Sequence, residues 1–184
     1  MGEHGVRVVD ATITFEDYPM RSPLVLTGGT ITEATEARAT VTVEDERGAT
    51  AAGRGTVFLS AIWAWPKSEL GFLTRVDAMQ QMCIEVADRM PVWCAEPRHP
   101  LEHGMDLHDR VDGLAIPVGL RLFITERIPT LAALVCWSPF DQALHDAYGR
   151  LLGISSYEAL SRDLLPGDLS RWLGEVGEGR LLDE

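Results

Sequence analysis

The densest set of groups able to do chemistry is Glu102-His103-Gly104-Met105-Asp106-Leu107-His108-Asp109, which carries two imidazoles and three carboxylates. On a helical turn His103 could approach Asp106 or Asp109, and such nitrogen and oxygen donors hold divalent cations. The spacing matches no established metal motif, and a solvated polar face is the competing reading. A second set is Cys136, Ser138, His145 and Asp146, which offers nucleophiles and a general base. Neither nucleophile sits in an elbow motif, and His145 and Asp146, as sequence neighbours, point in different directions on a helix. A core thiol and a helix cap are the roles that suit Cys136 and Ser138. Arg21 has a planar fork able to clamp a carboxylate, and pairing with a local surface acid is its alternative. Gly28-Gly29-Thr30 and Gly53-Arg54-Gly55 are not phosphate loops, because neither continues into G-K-[ST] or G-x-G-x-x-G. These residues alone assign no catalytic and no metal-binding position.

Composition narrows the partners. The 184 residues carry 28 acidic against 16 basic side chains, a formal charge of −12, which repels nucleic-acid backbones and anionic membranes. A 46% hydrophobic, 24% charged composition is that of a folded domain with a real core. The chain has no apolar run of membrane-spanning length, and Met1-Gly2-Glu3-His4-Gly5 is not a secretory leader, so a cytoplasmic location is expected. Cys83, Cys94 and Cys136 are odd in number and widely spaced, as suits reduced, buried thiols.

The elements that must position these groups are strands first and helices later, an α+β order. Val9, Ala11, Ile13 and Phe15 alternate with polar residues and predict a first strand. Ala37, Ala39, Val41 and Val43 predict a second, turning through Asp45-Glu46-Arg47-Gly48 into a third over residues 49–58. Between the first two, the prolines and glycines of Tyr18 to Thr30 predict an irregular loop around one short strand at most. Leu70, Leu73, Val76, Cys83, Val86 and Met90 predict a long helix, with Ser68 as its cap and Pro91 as its stop. Leu107, Val111, Leu114 and Val118 indicate one shorter helix. Phe140, Ala143, Leu144, Ala147 and Leu151 form one apolar stripe, with Ser138 as cap and Pro139 at the first helical position. Ser155 and Glu158 have capping-box spacing, and Asp168 is placed to cap a short helix ending by Gly174.

Three segments, in order, carry a resemblance. They are Pro19-Met20-Arg21-Ser22-Pro23-Leu24, the hairpin marked by Val41, Val43, Gly48, Gly53 and Gly55, and the helix Ala143 to Arg150 followed by Leu152-Gly153 and Tyr157 to Leu160. Together they resemble the N-terminal capping domain of the enolase superfamily, in its mandelate racemase and muconate lactonizing branch, with the junction that leads to the catalytic barrel. The chain departs from that pattern at Thr56, where many members have glutamate, and at Arg150, where many have lysine.

The resemblance implies a small antiparallel sheet of about three strands under a helical layer, with residues 1–160 as the capping domain and 161–184 as a short helical extension toward a (β/α) barrel. A barrel needs about 200 or more further residues, so the chain reads as a cap without its barrel. In the family the loops after the first strand and after the hairpin close over the barrel mouth, here Tyr18 to Thr30 and Arg54 to Trp65. On that basis Tyr18, Met20, Arg21, Phe58 and Trp63 are the expected substrate contacts. Mg2+ and the acid/base lysines belong to the barrel, which abstracts a proton alpha to a carboxylate in racemases, epimerases, cycloisomerases and dehydratases. The expectations are no catalysis by this chain alone, a carboxylate substrate, a barrel in cis or on a partner chain, and self-association through the barrel-facing side. A free-standing interaction or ligand-binding domain is the alternative.

Overall fold

The computed structural model describes residues 4–26, 29–165 and 167–182. Met1 to Glu3 of the N-terminal segment and Thr27 and Gly28 of the expected loop lie outside the described residues. Three strands, β1 (Val6–Leu26), β2 (Gly29–Asp45) and β3 (Thr50–Phe58), form one antiparallel sheet in the order β1-β2-β3. The helices follow in sequence: α1 (Ala61–Ala64), α2 (Phe72–Trp93), α3 (Pro100–Gly113), α4 (Ala115–Arg121), α5 (Thr130–Leu152) and α6 (Ser170–Leu173). The architecture is α+β, as the order of patterns predicts.

Alternation sets which sheet face meets the helices. Ala37, Ala39, Val41 and Val43 of β2 are buried, and opposite them Val57, Gly55, Gly53 and Ala51 of β3 lie on the same face. In β1 the register slips between Val8 and Asp10, which leaves Val9 exposed. Val6 and Val8 are therefore the buried residues at the start of β1, with Ala11, Ile13 and Phe15 packed against the core beyond the bulge.

The helix α5 crosses this face at very short range. A Cβ built on Gly53 would stand 2.8 Å from Ala147 Cα, and one on Gly55 would stand 2.9 Å from Ala143 N. Glycine is required there because any side chain would overlap the helix backbone. The edge of β3 is closed by the same helix: Arg54 N donates to Asp146 Oδ2 (2.9 Å) and Thr56 N to Gln142 Oε1 (3.3 Å). Two acceptors four residues apart on a helix thus satisfy alternate amides of an edge strand. Arg150 Nε holds Asp146 from the next turn at 2.8 Å. Asp146 thus ties α5 to the edge of β3 while Arg150 holds it from within the same helix.

Several boundaries differ from the sequence pattern. The segment expected as an irregular loop is extended and paired, with Tyr18 opposite Ala34, Pro19 opposite Glu33, and Leu24 to Leu26 opposite Ile31 to Gly29. Its two prolines lie at or within the register slip between Pro19 and Leu24, where a missing N–H costs no ladder bond. Ser138 and Pro139 lie inside α5, which begins at Thr130, and Ser138 Oγ donates back to Leu134 O at 3.3 Å. The apolar residues Ala132, Ala133, Val135 and Cys136 extend the buried face upstream, and tertiary packing tolerates the internal proline. Likewise α2 begins at Phe72 after Gly71 and runs through Pro91 to Trp93. Ser68 instead accepts from Leu70 N and donates to Glu126.

The single helix expected around Leu107 to Val118 is two helices, α3 and α4, meeting at Leu114. The N-terminus of α3 carries a capping box in which His99 replaces the usual hydroxyl: its Nδ1 accepts from Leu101 N (3.2 Å) while Glu102 accepts from His99 N (3.1 Å). With Nδ1 accepting, Nε2 carries the proton and donates to Ala159 O at 3.2 Å. Ser155 and Glu158 exchange capping-box hydrogen bonds of 2.8 and 3.2 Å around a turn. Asp168 accepts from Ser170 N (3.1 Å) at the start of α6, which Gly174 ends.

Candidate functional site

Beyond the helix-covered part, β1 and β2 continue as a two-stranded arm. One of its faces gathers Glu16 and Tyr18 from β1, Glu36 and Arg38 from β2, and Phe58 from β3, as the register requires. The Tyr18 and Phe58 rings meet edge to face, centroids 6.3 Å apart and 87° between planes. Arg38 lies over Tyr18 with its guanidinium carbon 5.7 Å from the ring centroid, and donates to the phenolic oxygen. Its remaining donors reach Glu16 (2.5 Å) and Glu36 (2.7 Å). The hydrogen bond with Glu16 raises the Tyr18 pKa above the ordinary phenol value, and that with Glu36 raises Arg38. Tyr18 is therefore a neutral aromatic surface at physiological pH, and Arg38 is a cation already matched by two carboxylates.

Toward the tip Met20 and Arg21 follow Tyr18 along β1, both exposed, and Leu24, Val25 and Leu26 end the strand, with Val25 75% exposed. Behind Phe58 the chain turns into α1, which buries Leu59, Ala61, Ala64 and Trp65 but leaves Trp63 60% exposed. The apolar run Val57 to Trp65 is thus divided. Trp65 packs in the core, where Arg75 donates to its carbonyl oxygen at 2.7 Å, and Phe58 and Trp63 face outward. Ile31, Ala34, Phe58, Ile62 and Phe72 line a small cavity of about 50 Å3 at the base of the arm.

Of the five residues expected to contact substrate, the structure brings Tyr18 and Phe58 into contact, carries Met20 and Arg21 outward on the same strand, and sets Trp63 on α1. Among the described residues Trp63 shares no ring contact with the other two aromatics. Arg38 was missed by sequence reasoning, although its place on the polar side of an alternating strand was the available signal. Ile31, Ile62 and Phe72 had no signal distinguishing them from ordinary core residues.

The Glu102 to Asp109 cluster is committed elsewhere. His103 Nε2 is 2.8 Å from Val6 O, Glu102 caps α3, and Asp106 pairs with Arg98 and with Arg171, the latter at 2.5 Å. Burial lowers the His103 pKa below its ordinary value. Among the described residues no group of three His, Cys, Asp or Glu is arranged to hold a metal ion. Cys136 is buried with its thiol donating to Met79 O at 3.3 Å, and Ser138 Oγ donates to Leu134 O at 3.3 Å. Among the described residues no helix is long and apolar enough to cross a membrane.

No family model matches the chain, and no match is found among curated proteins. Similar solved structures include an enolase from Bradyrhizobium complexed with magnesium and mandelic acid, at 20% identity and TM-score 0.47 over 89% of this chain and 36% of that one. L-talarate/galactarate dehydratase from Salmonella typhimurium is similar at 17% identity and TM-score 0.43 over 86% and 34%. A dipeptide epimerase from Enterococcus faecalis complexed with Mg and L-Leu-L-Tyr is similar at 13% identity and TM-score 0.44 over 84% and 34%. The chain spans about a third of the length of each.

Proposed function

We propose that the chain is the substrate-selecting cap of a Mg2+-dependent enzyme that abstracts a proton alpha to a carboxylate, with residues 1–160 as the cap and 161–184 as the lead into a barrel. The observation that carries this reading is the arm: a two-stranded ribbon, paired on either side of the register slip between Pro19 and Leu24, that exposes Met20, Leu24 and Val25, with Phe58 and Trp63 exposed at its base. Exposed apolar groups on an ordered scaffold mark a surface made to be covered. The order of the three motif segments supports a barrel mouth as what it covers.

In that assembly Tyr18, Met20, Phe58 and Trp63 exclude water and shape the apolar side of the pocket, and Arg21 offers the free fork for a carboxylate, since Arg38 is already paired. The metal and the bases are supplied by the barrel, in cis or on a partner chain, and the assembly is cytoplasmic. The test is the intact mass and chemistry of the native product in its source cells. A product about twice this size or larger, as an added barrel requires, that exchanges a carboxylate's α-proton into D2O with Mg2+ supports the proposal. A 20.3 kDa product that copurifies with no barrel-bearing chain and exchanges no α-proton overturns it in favour of a binding role.

A further inference from the structure

The helix α5 has two working faces. Pro139, Ala143 and Ala147 press on β3, while Trp137, Asp141 and His145 follow one another at helical spacing on a row turned by about 200°. That second row lines a cleft of about 490 Å3 shared with Met105 and His108 of α3 and Trp172 of α6. The cleft is independent of the arm and of the reading given to it.

Asp141 is half-buried there, and burial raises its pKa. Its neighbour one turn along is His145, whose own pKa burial lowers below the ordinary imidazole value, and no lysine or arginine is among the described residues that line the cleft. His108 is turned to Asp109 at 3.1 Å. On the facing helix Gly104 leaves room: a Cβ there would stand 3.3 Å from Asp141 Oδ1. The cleft thus holds a partly desolvated carboxylate without a cation of its own, beside two indoles and a thioether.

Each alternative ligand meets an obstacle. An anion would face Asp141 and Asp109, a metal ion would find no set of three donors, and a neutral apolar molecule would leave the carboxylate desolvated without compensation. A cation with an apolar body removes the difficulty, because the carboxylate supplies its counter-charge and the indoles supply cation–π attraction. We propose that this cleft binds a small organic ammonium ion with an aromatic or aliphatic body, with Asp141 as its counter-ion and Trp137, Trp172 and Met105 as its walls.

The test is titration of the 184-residue chain with 2-phenylethylammonium, followed by calorimetry and by amide chemical shifts. The expected result is saturable binding at millimolar concentration or below, with shifts centred on Met105, Trp137, Asp141, His145 and Trp172. The neutral isostere 2-phenylethanol should bind at least about tenfold more weakly, as loss of a charge-assisted hydrogen bond requires. Asp141→Asn, which keeps the side-chain shape, should weaken binding by at least about tenfold, and Trp172→Leu by about three- to tenfold. Circular dichroism and melting verify that each variant is folded. Failure to saturate, equal affinity for the alcohol, or shifts mapping away from the cleft would each overturn the assignment, and the last two readouts need no variant.

Discussion

The sheet is built from one kind of backbone but serves two ends. Under α5 its residues shrink to glycine and alanine so that helix and strand backbones touch, whereas along the arm they grow to tyrosine, phenylalanine, arginine and methionine held out in solvent. Close packing fixes the first region, since nothing can be added without moving a helix. The second is fixed by cross-strand pairs whose side chains have room to change. Stability is therefore concentrated where the residues are small, while the large ones stand away from the packed face, and substitutions in the two regions should have unequal consequences.

The sharpest way to break that comparison is Gly55→Ala or Gly53→Ala. Each added methyl would enter the backbone of α5, and the expected loss is above about 3 kcal/mol in urea unfolding, beyond ordinary overpacking because the obstacle is main chain. Gly48→Ala is the control. Its φ of 80° disfavours alanine but nothing lies within 4 Å, so the expected loss is about 1 kcal/mol. Equal losses at all three would show that α5 does not rest on glycine.

A second test uses pH. His99 and His103, which tie α3 to Ala159 and to the start of β1, are both held below their ordinary pKa, chiefly by burial. The unfolded chain therefore binds protons more readily than the folded one. Stability should be full above the unfolded value of about 6.5 and fall as the pH drops through it toward the depressed folded values, by at most about 1.4 kcal/mol per pH unit for each group. Asp141, whose pKa burial raises, acts with the opposite sign at lower pH. His103→Gln should flatten the slope between pH 7 and 5, and an unchanged slope would remove His103 from the account.

What the sequence made legible follows from the same division. Period-two alternation found the first two strands and an apolar stripe found α5, because burial on one face leaves a periodic trace, while the third strand was read from the turn at Asp45 to Gly48. Helix ends were misplaced where a local signal competed with tertiary packing: Ser138-Pro139 has the form of a start, yet the buried Ala132 to Trp137 carry the helix eight residues upstream. The arm was hidden because two prolines argue against a strand, and only the register slip that contains them reconciles the two. Val9 belonged to the alternation and not to the core, since a bulge shifts phase without changing residue type. In the candidate site, the aromatics stood out by type, but Arg38 did not, because its meaning comes from Glu16, Tyr18 and Glu36 converging across strands.

A third, smaller effect is expected at the closed edge of β3. Asp146→Ala removes the acceptor for Arg54 N and the partner of Arg150, and should cost about 1 to 2 kcal/mol, as for loss of one charged hydrogen bond at a partly exposed site. Gln142→Ala, with its longer 3.3 Å bond, should cost less, about 0.5 kcal/mol. Reversal of that order would mean that the helix closes the edge through packing alone.

The smallest effect on stability, and the one most informative about function, is expected at Phe58 and Trp63. Both are more than half exposed, at 53% and 60%, so Phe58→Ala and Trp63→Ala should each cost no more than about 1 kcal/mol, against about 3 to 5 for an aromatic inside a core. Trp65→Ala, two residues along and 2% exposed, supplies the core reference in the same segment. If Phe58 and Trp63 are recognition groups, their loss should leave the melting curve nearly unchanged while weakening self-association or binding to a barrel-bearing chain, measured by sedimentation, by at least about tenfold, the scale of an interface hot spot. A large stability loss with association intact would place both rings in the cap's own packing and return the arm to a purely structural role.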